Sequence, residues 1–153
     1  MWFFKIKKRK RKIVNTTYLT HKEAARTMIL ERLAYFAPLC EVTYKRVAIR
    51  DTKRCWGSCS SLGNLNFNYR LLFIPQCLAD YVIVHELCHL KELNHSQKFW
   101  NEVEKVMFNY ETHVKNLHLL EKETRNNIRA LQQAKNNHNC EHCSKFTESS
   151  LTK

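Results

Sequence analysis

Glycine and proline are scarce, with two of each in 153 residues. That scarcity excludes collagen-like and linker-rich chains and argues against an all-β sandwich, which needs many tight turns. Long hydrophobic runs are missing: nothing approaches the roughly 18 consecutive apolar residues of a membrane span. The chain opens apolar with Met1-Trp2-Phe3-Phe4 and turns basic over Lys5–Lys12. A secretory signal has the reverse order, charge first and the apolar stretch after it. An even cysteine framework is lacking too. The seven cysteines, at positions 40, 55, 59, 77, 88, 140 and 143, follow no regular spacing, so a reducing compartment is the simpler inference. Together these absences predict a soluble, cytoplasmic protein with no membrane partner.

Hydrophobic residues make up 44% of the chain, enough for a core, and the length suits one domain with tails. The formal net charge is +12, a balance that raises nucleic acid as a partner. Its distribution is uneven. Lys5–Lys12 is basic everywhere except Ile6 and carries seven of those charges. We read this run as a solvated tail or charged edge strand, because no aromatic interleaving or binding motif accompanies it. A nucleic-acid contact is the second reading.

Thr20 and Glu23 have the spacing of a capping box. Ala24, Ala25, Met28, Ile29, Leu33 and Phe36 then form one apolar stripe, and Pro38 is expected to end the helix. Tyr44, Val47 and Ile49 alternate loosely, as in a half-buried strand. Cys55–Ser61 and Gly63-Asn64 read as turns. In Asn64–Asn68 leucine and phenylalanine share one face and the asparagines the other, which predicts a short one-sided strand. Pro75 suits the start of a helix running to about Leu93, buried all round at Tyr81–Val84. Asn94 fits a left-handed cap. Ser96 fits the N-cap of a third helix striped by Phe99, Trp100, Val103, Val106 and Met107. A weaker helix follows to about Ala134, and a polar, disordered tail closes the chain. The reading is α+β: a short β-sheet packed on helices. Its divisions are a basic arm or edge strand at 1–19, a catalytic domain at 20–110, a C-terminal helix at 111–134 and a disordered tail at 135–153.

The buried helix carries His85-Glu86-Leu87-Cys88-His89, an H-E-x-x-H pattern. Histidines four apart share a helix face and can reach one metal ion, while the glutamate beside the first can take a proton from a water. A catalytic zinc wants three protein ligands and one open position. His95, six residues after His89, is the favoured third ligand. Metalloproteases with H-E-x-x-H-x-x-G-x-x-H use that spacing, with a glycine for the chain reversal. Glu92 stands at that glycine position here, so Asn94 is expected to make the reversal. Glu102 and Glu104 are the alternatives, with His113 and His118 more remote. The buried Cys88 reads as core. Phe99 and Trp100 read as packing that fixes His95. Cys140-Glu141-His142-Cys143 resembles half a zinc ribbon, but no second pair completes it.

Four blocks carry a family resemblance: Trp56-Gly57-Ser58-Cys59-Ser60, Gly63–Asn68, His85–Leu90, and Asn94-His95 followed by Phe99-Trp100. Over about residues 20–110 the chain resembles the YgjP-like metallopeptidase domain, a group of metal-dependent hydrolases similar in layout to SprT-like and other small zincins. The resemblance implies a zinc-dependent peptidase fold, with His85, His89 and His95 as ligands and Glu86 as catalytic acid/base. It implies also that the Leu65–Asn68 strand borders the cleft as an edge on which an extended substrate pairs. The chain departs from the family pattern at Cys55, where a basic residue is usual; Arg54 lies one step earlier.

The expected function is therefore hydrolysis of a peptide or related amide by a water that zinc and Glu86 activate. Tyr69, Arg70, Tyr110 and His113 are the candidates for stabilising the oxyanion. The competing readings are a nucleic-acid-associated zincin acting on DNA-bound proteins and a binding module that retains zinc without activity. The oligomeric state is left open.

Overall fold

The computed structural model describes residues 15–124. The expectations for the basic arm before Asn15, and for the Cys140 and Cys143 tail, lie outside the described residues. The elements run α1 (Thr16–Leu39), β1 (Arg46–Arg50), β2 (Gly57–Cys59), β3 (Asn64–Asn68), a 3-10 helix (Tyr69–Phe73), α2 (Gln76–Cys88), α3 (Gln97–Val106) and α4 (Tyr110–Thr124). This is the expected α+β arrangement, with a three-stranded sheet packed on helices.

α1 begins four residues before the expected Thr20. Asn15 is the cap: its side-chain oxygen accepts the Thr17 N–H at 3.1 Å. The Asn15 amide also donates to Asp51 at 3.1 Å and to the Tyr69 hydroxyl at 3.3 Å, which fixes the helix start against the end of β1 and the 3-10 helix. The supposed capping box does other work. The Thr20 hydroxyl donates to the Thr16 carbonyl, and Glu23 pairs with Arg26. Pro38 does not stop the helix but sits in its last turn; the chain leaves through Glu41 at φ 55°. Ala25, Ile29, Leu33 and Phe36 are buried as the stripe requires.

The sheet order is β1-β3-β2, with β1 parallel and β2 antiparallel to β3. Leu65 and Phe67 are buried, as their alternation predicts. Two expectations about this strand fail. Asn68 is not on the solvent side: it is buried, and its amide donates to the Thr52 and Cys55 carbonyls at 2.8 and 3.1 Å. β3 is not an edge either, since it is paired on both sides, which leaves the open edge next to α2 to β2.

α2 is buried almost all round, and Tyr81 to Val84 are all 5% exposed or less. Asp80 on this helix accepts two hydrogen bonds from the Arg32 guanidinium of α1, both 2.7 Å, and a third from Gln76 at 2.9 Å. The bidentate pair locks the two helices in register. The helix ends at Cys88, five residues short of Leu93, because the Leu90, Lys91 and Glu92 amides turn back to Leu87 and Cys88. Asn94 is not left-handed; it accepts the Ser96 N–H instead. Ser96 stands at the N-cap of α3 as expected, but its hydroxyl makes no capping bond. Among the described residues, no helix is long and apolar enough to cross a membrane.

Candidate metal centre and active site

His85, Glu86 and His89 project from the last turns of α2, and His95 comes from the loop before α3. His85 Nε2 lies 3.1 Å from His89 Nε2 and 3.0 Å from His95 Nε2. Three nitrogens on a tetrahedral zinc stand about 3.3 Å apart, given metal–nitrogen bonds of about 2.0–2.1 Å. Among the described residues, this triad brings one ring nitrogen each within 4.8 Å of the others.

The hydrogen bonding around the rings favours a cation. His89 Nδ1 is 2.9 Å from the Glu92 carbonyl, so that nitrogen carries the proton and Nε2 keeps its lone pair. His85 Nε2, with one proton or one lone pair, cannot serve two imidazole neighbours well, whereas a cation between the rings accepts a lone pair from all three. Burial and the neighbouring His89 and His95 push the His85 pKa down to about 3, and burial lowers that of His89. Both rings are thus held in the neutral form that binds metals.

Aromatic packing sets the ring positions. Phe99 of α3 sits against all three histidines, with centroid distances of 4.8 Å to His85, 4.4 Å to His89 and 4.9 Å to His95. Trp100 stacks on His95 at 5.7 Å, and Tyr110 stacks on Trp100 at 5.2 Å. The reading of Phe99 and Trp100 as packing around His95 fits this geometry.

Glu86 is 6% exposed, and its Oε2 has no hydrogen-bond partner. Burial raises its pKa to about 8. A buried, unsatisfied carboxyl oxygen costs roughly 1–3 kcal/mol or more. A cation held by the adjacent histidines would offset that cost and draw the carboxyl back toward its ionised form. Gly57 makes the space for it. A Cβ there would stand 2.7 Å from Glu86 Cγ and Oε1 and 2.9 Å from Cδ.

The other sequence candidates stand outside the histidine triad. Glu102 is engaged by Lys91 at 2.7 Å and by Lys105, and Glu104 is exposed. Tyr69 is buried against Tyr18, and Arg70 pairs with Asp51 at 3.1 Å. Tyr110 stacks on Trp100 and lies near Tyr81, whose pKa is raised by burial first and then by this neighbour. His113 is buried with its ring against Tyr81, and His118 lines a cavity beside Glu86. Cys88 is core, hydrogen-bonded to Cys40; that bond and burial push its thiol pKa upward. Sequence reasoning missed Tyr81, whose hydroxyl is 3.3 Å from His85 Nδ1, the nitrogen that faces away from the triad. Its position four residues before His85 was the available signal. It also missed Gly57 and the contribution of α4.

The architecture is similar to that of a solved structure, the metallopeptidase zymogen of Pyrococcus abyssi abylysin. The two share 25% sequence identity at a TM-score of 0.54, over 58% of this chain and 90% of that one. Fold and histidine cluster together define the class, a metal-dependent hydrolase of the metallopeptidase type. The chain belongs to the YgjP-like family, whose metallopeptidase domain matches residues 4–119. No curated protein matches it.

Proposed function

We propose that the chain hydrolyses peptide bonds with a zinc ion held by His85, His89 and His95 and with Glu86 as general base and acid. When bound, zinc polarises a carbonyl oxygen and lowers the pKa of water toward about 7. Glu86 takes the proton from the attacking water at its unpartnered Oε2 and returns it to the leaving amine. Tyr81 and the Glu92 carbonyl orient the rings of His85 and His89. Gly57 keeps the space that the Glu86 side chain occupies. An extended substrate is expected along the open edge of β2, where β3 offers none.

The observation that carries this reading is the convergence of three ring nitrogens beside a buried carboxyl group with an orphan oxygen. Glu86→Gln tests it. The variant is expected to bind zinc at the wild-type stoichiometry and to lose at least about a hundredfold in peptide hydrolysis, the scale of a removed general base. Equal activity in variant and wild type would refute the mechanism.

A further inference from the structure

Next to His85 and Glu86 a cavity of about 250 Å³ opens between the end of α2, the approach to β2 and the face of α4. Its apolar walls come from three separate segments: Trp56 before β2, Val82 on α2, and Val114 and Leu117 on α4. Val82 and Leu117 are buried, while Trp56 and Val114 are half-buried against the core. The Trp56 indole N–H donates to Glu121 Oε1 at 3.0 Å. This bond spans 65 residues, holds the indole against α4 and engages the carboxylate at the rim.

We propose that this cavity receives a substrate side chain and selects a bulky apolar residue, aliphatic or aromatic, next to the scissile bond. The inference rests on the peptidase reading above and names the substrate preference of that site. Position is the first argument. Glu86 must reach the scissile bond, and it lines the cavity, so a peptide lying against it projects a neighbouring side chain inward. Size is the second. An apolar cavity of about 150 Å³ holds a benzene molecule, so this one accepts a phenylalanyl or leucyl side chain. It is smaller than the roughly 300–1,000 Å³ of a pocket that takes a whole small molecule. Chemistry is the third. Trp56, Val82, Val114 and Leu117 give the lining its apolar surface; Tyr81 is held at His85, and the two carboxylates have other work, Glu86 as the base and Glu121 with Trp56. Arg54 and His118 also line the cavity, but both are exposed, so their polar ends can stay in water while the apolar residues meet the substrate side chain. α4 is then part of the catalytic unit. The family match ends at residue 119, inside this helix, so Glu121 lies just beyond it.

The test uses the full chain loaded with zinc and a set of peptides differing only at one residue beside the cleaved bond. The wild type should cleave leucine and phenylalanine peptides at least about tenfold faster in kcat/KM than alanine or aspartate peptides. Val114→Phe fills the cavity and should reverse that order in favour of alanine, with zinc content unchanged. Leu117→Ala enlarges it and should shift preference toward tryptophan, which covers the case in which the larger side chain prevents folding. Binding to the Glu86→Gln protein supplies a readout without turnover: the leucine peptide should bind at least about tenfold tighter than the alanine peptide. Cleavage with no side-chain preference, or a preference that neither variant moves, overturns the pocket and leaves the peptidase reading intact. Selective binding with no cleavage by the wild type supports the pocket and overturns the peptidase reading.

Discussion

Gly57→Ala is a one-methyl perturbation aimed at Glu86, the carboxyl proposed above as the general base. The added Cβ would sit 2.7 Å from Glu86 Cγ and Oε1 and 2.9 Å from Cδ, well inside van der Waals contact. Three consecutive atoms of one side chain are crowded at once, so a small rotation of the carboxyl tip does not relieve it. Glu86 is buried on α2, which leaves two outcomes: its side chain leaves the rotamer, or β2 shifts away from the helix. Overpacking of this kind costs about 1–3 kcal/mol in stability. A displacement of about 1 Å in a reacting group costs about a hundredfold in rate. The expectation is therefore a loss of about a hundredfold in kcat at unchanged zinc stoichiometry, because the three atoms nearest the new methyl group all belong to Glu86 and none to His85, His89 or His95. Peptide cleavage with metal content measured on the same sample checks this, alongside thermal unfolding. Gly63→Ala is the matched control. Its φ of 77° disfavours alanine, but the added Cβ would meet Lys45 at an ordinary 3.6 Å. That variant should lose about 1 kcal/mol of stability and keep its activity per folded molecule. A Gly57→Ala protein with wild-type rate and stability would refute the placement of Glu86 against β2.

The metal-free protein has a signature pH dependence. Burial raises the Glu86 pKa to about 8 from an ordinary value of 4.5. The folded state then holds a proton that the unfolded state has released, so this group lowers stability progressively as pH rises from about 4.5 to about 8. Glu86→Gln removes that dependence: it should stabilise the metal-free fold at pH 8.5 and change little at pH 4.5, as chemical denaturation at the two pH values will show. A gain larger at pH 4.5 would sink the burial argument. Trp100→Ala removes the ring stacked on His95 and should weaken zinc affinity about 10–100-fold, the usual effect of losing a residue that orients a ligand. Competition with a chelator measures it; unchanged affinity would mean that Phe99 alone fixes His95.

The convergence of the three histidines was legible because its logic is local. His85 and His89 are one helical turn apart, and six further residues bring His95 back to them; no distant contact is needed to foresee their meeting. The means of the chain reversal was not legible. Asn94 looked like the left-handed residue, but the turn is made by amides returning to Leu87 and Cys88, with His89 Nδ1 on the Glu92 carbonyl. α1 failed for a related reason: Thr20 and Glu23 have the spacing of a cap, while the cap that formed, Asn15, is chosen by partners at Asp51 and Tyr69. The Leu65 and Phe67 alternation reports one buried face of the strand, and both side chains are buried there; it did not foresee that Asn68, on the other face, is buried too. It carries no information on which strands flank it, so an edge was expected where the sheet has its centre. The environment of Glu86 lay furthest out of reach. Gly57 reads as a turn residue until β2 is laid against α2. Trp56 and Glu121 read as unrelated until α4 closes over them. A sequence reading thus recovers groups whose spacing alone brings them together. The groups that shape the space around them are set by contacts across the fold, and in this protein those contacts decide where the Glu86 carboxyl points and what lines the cavity beside it.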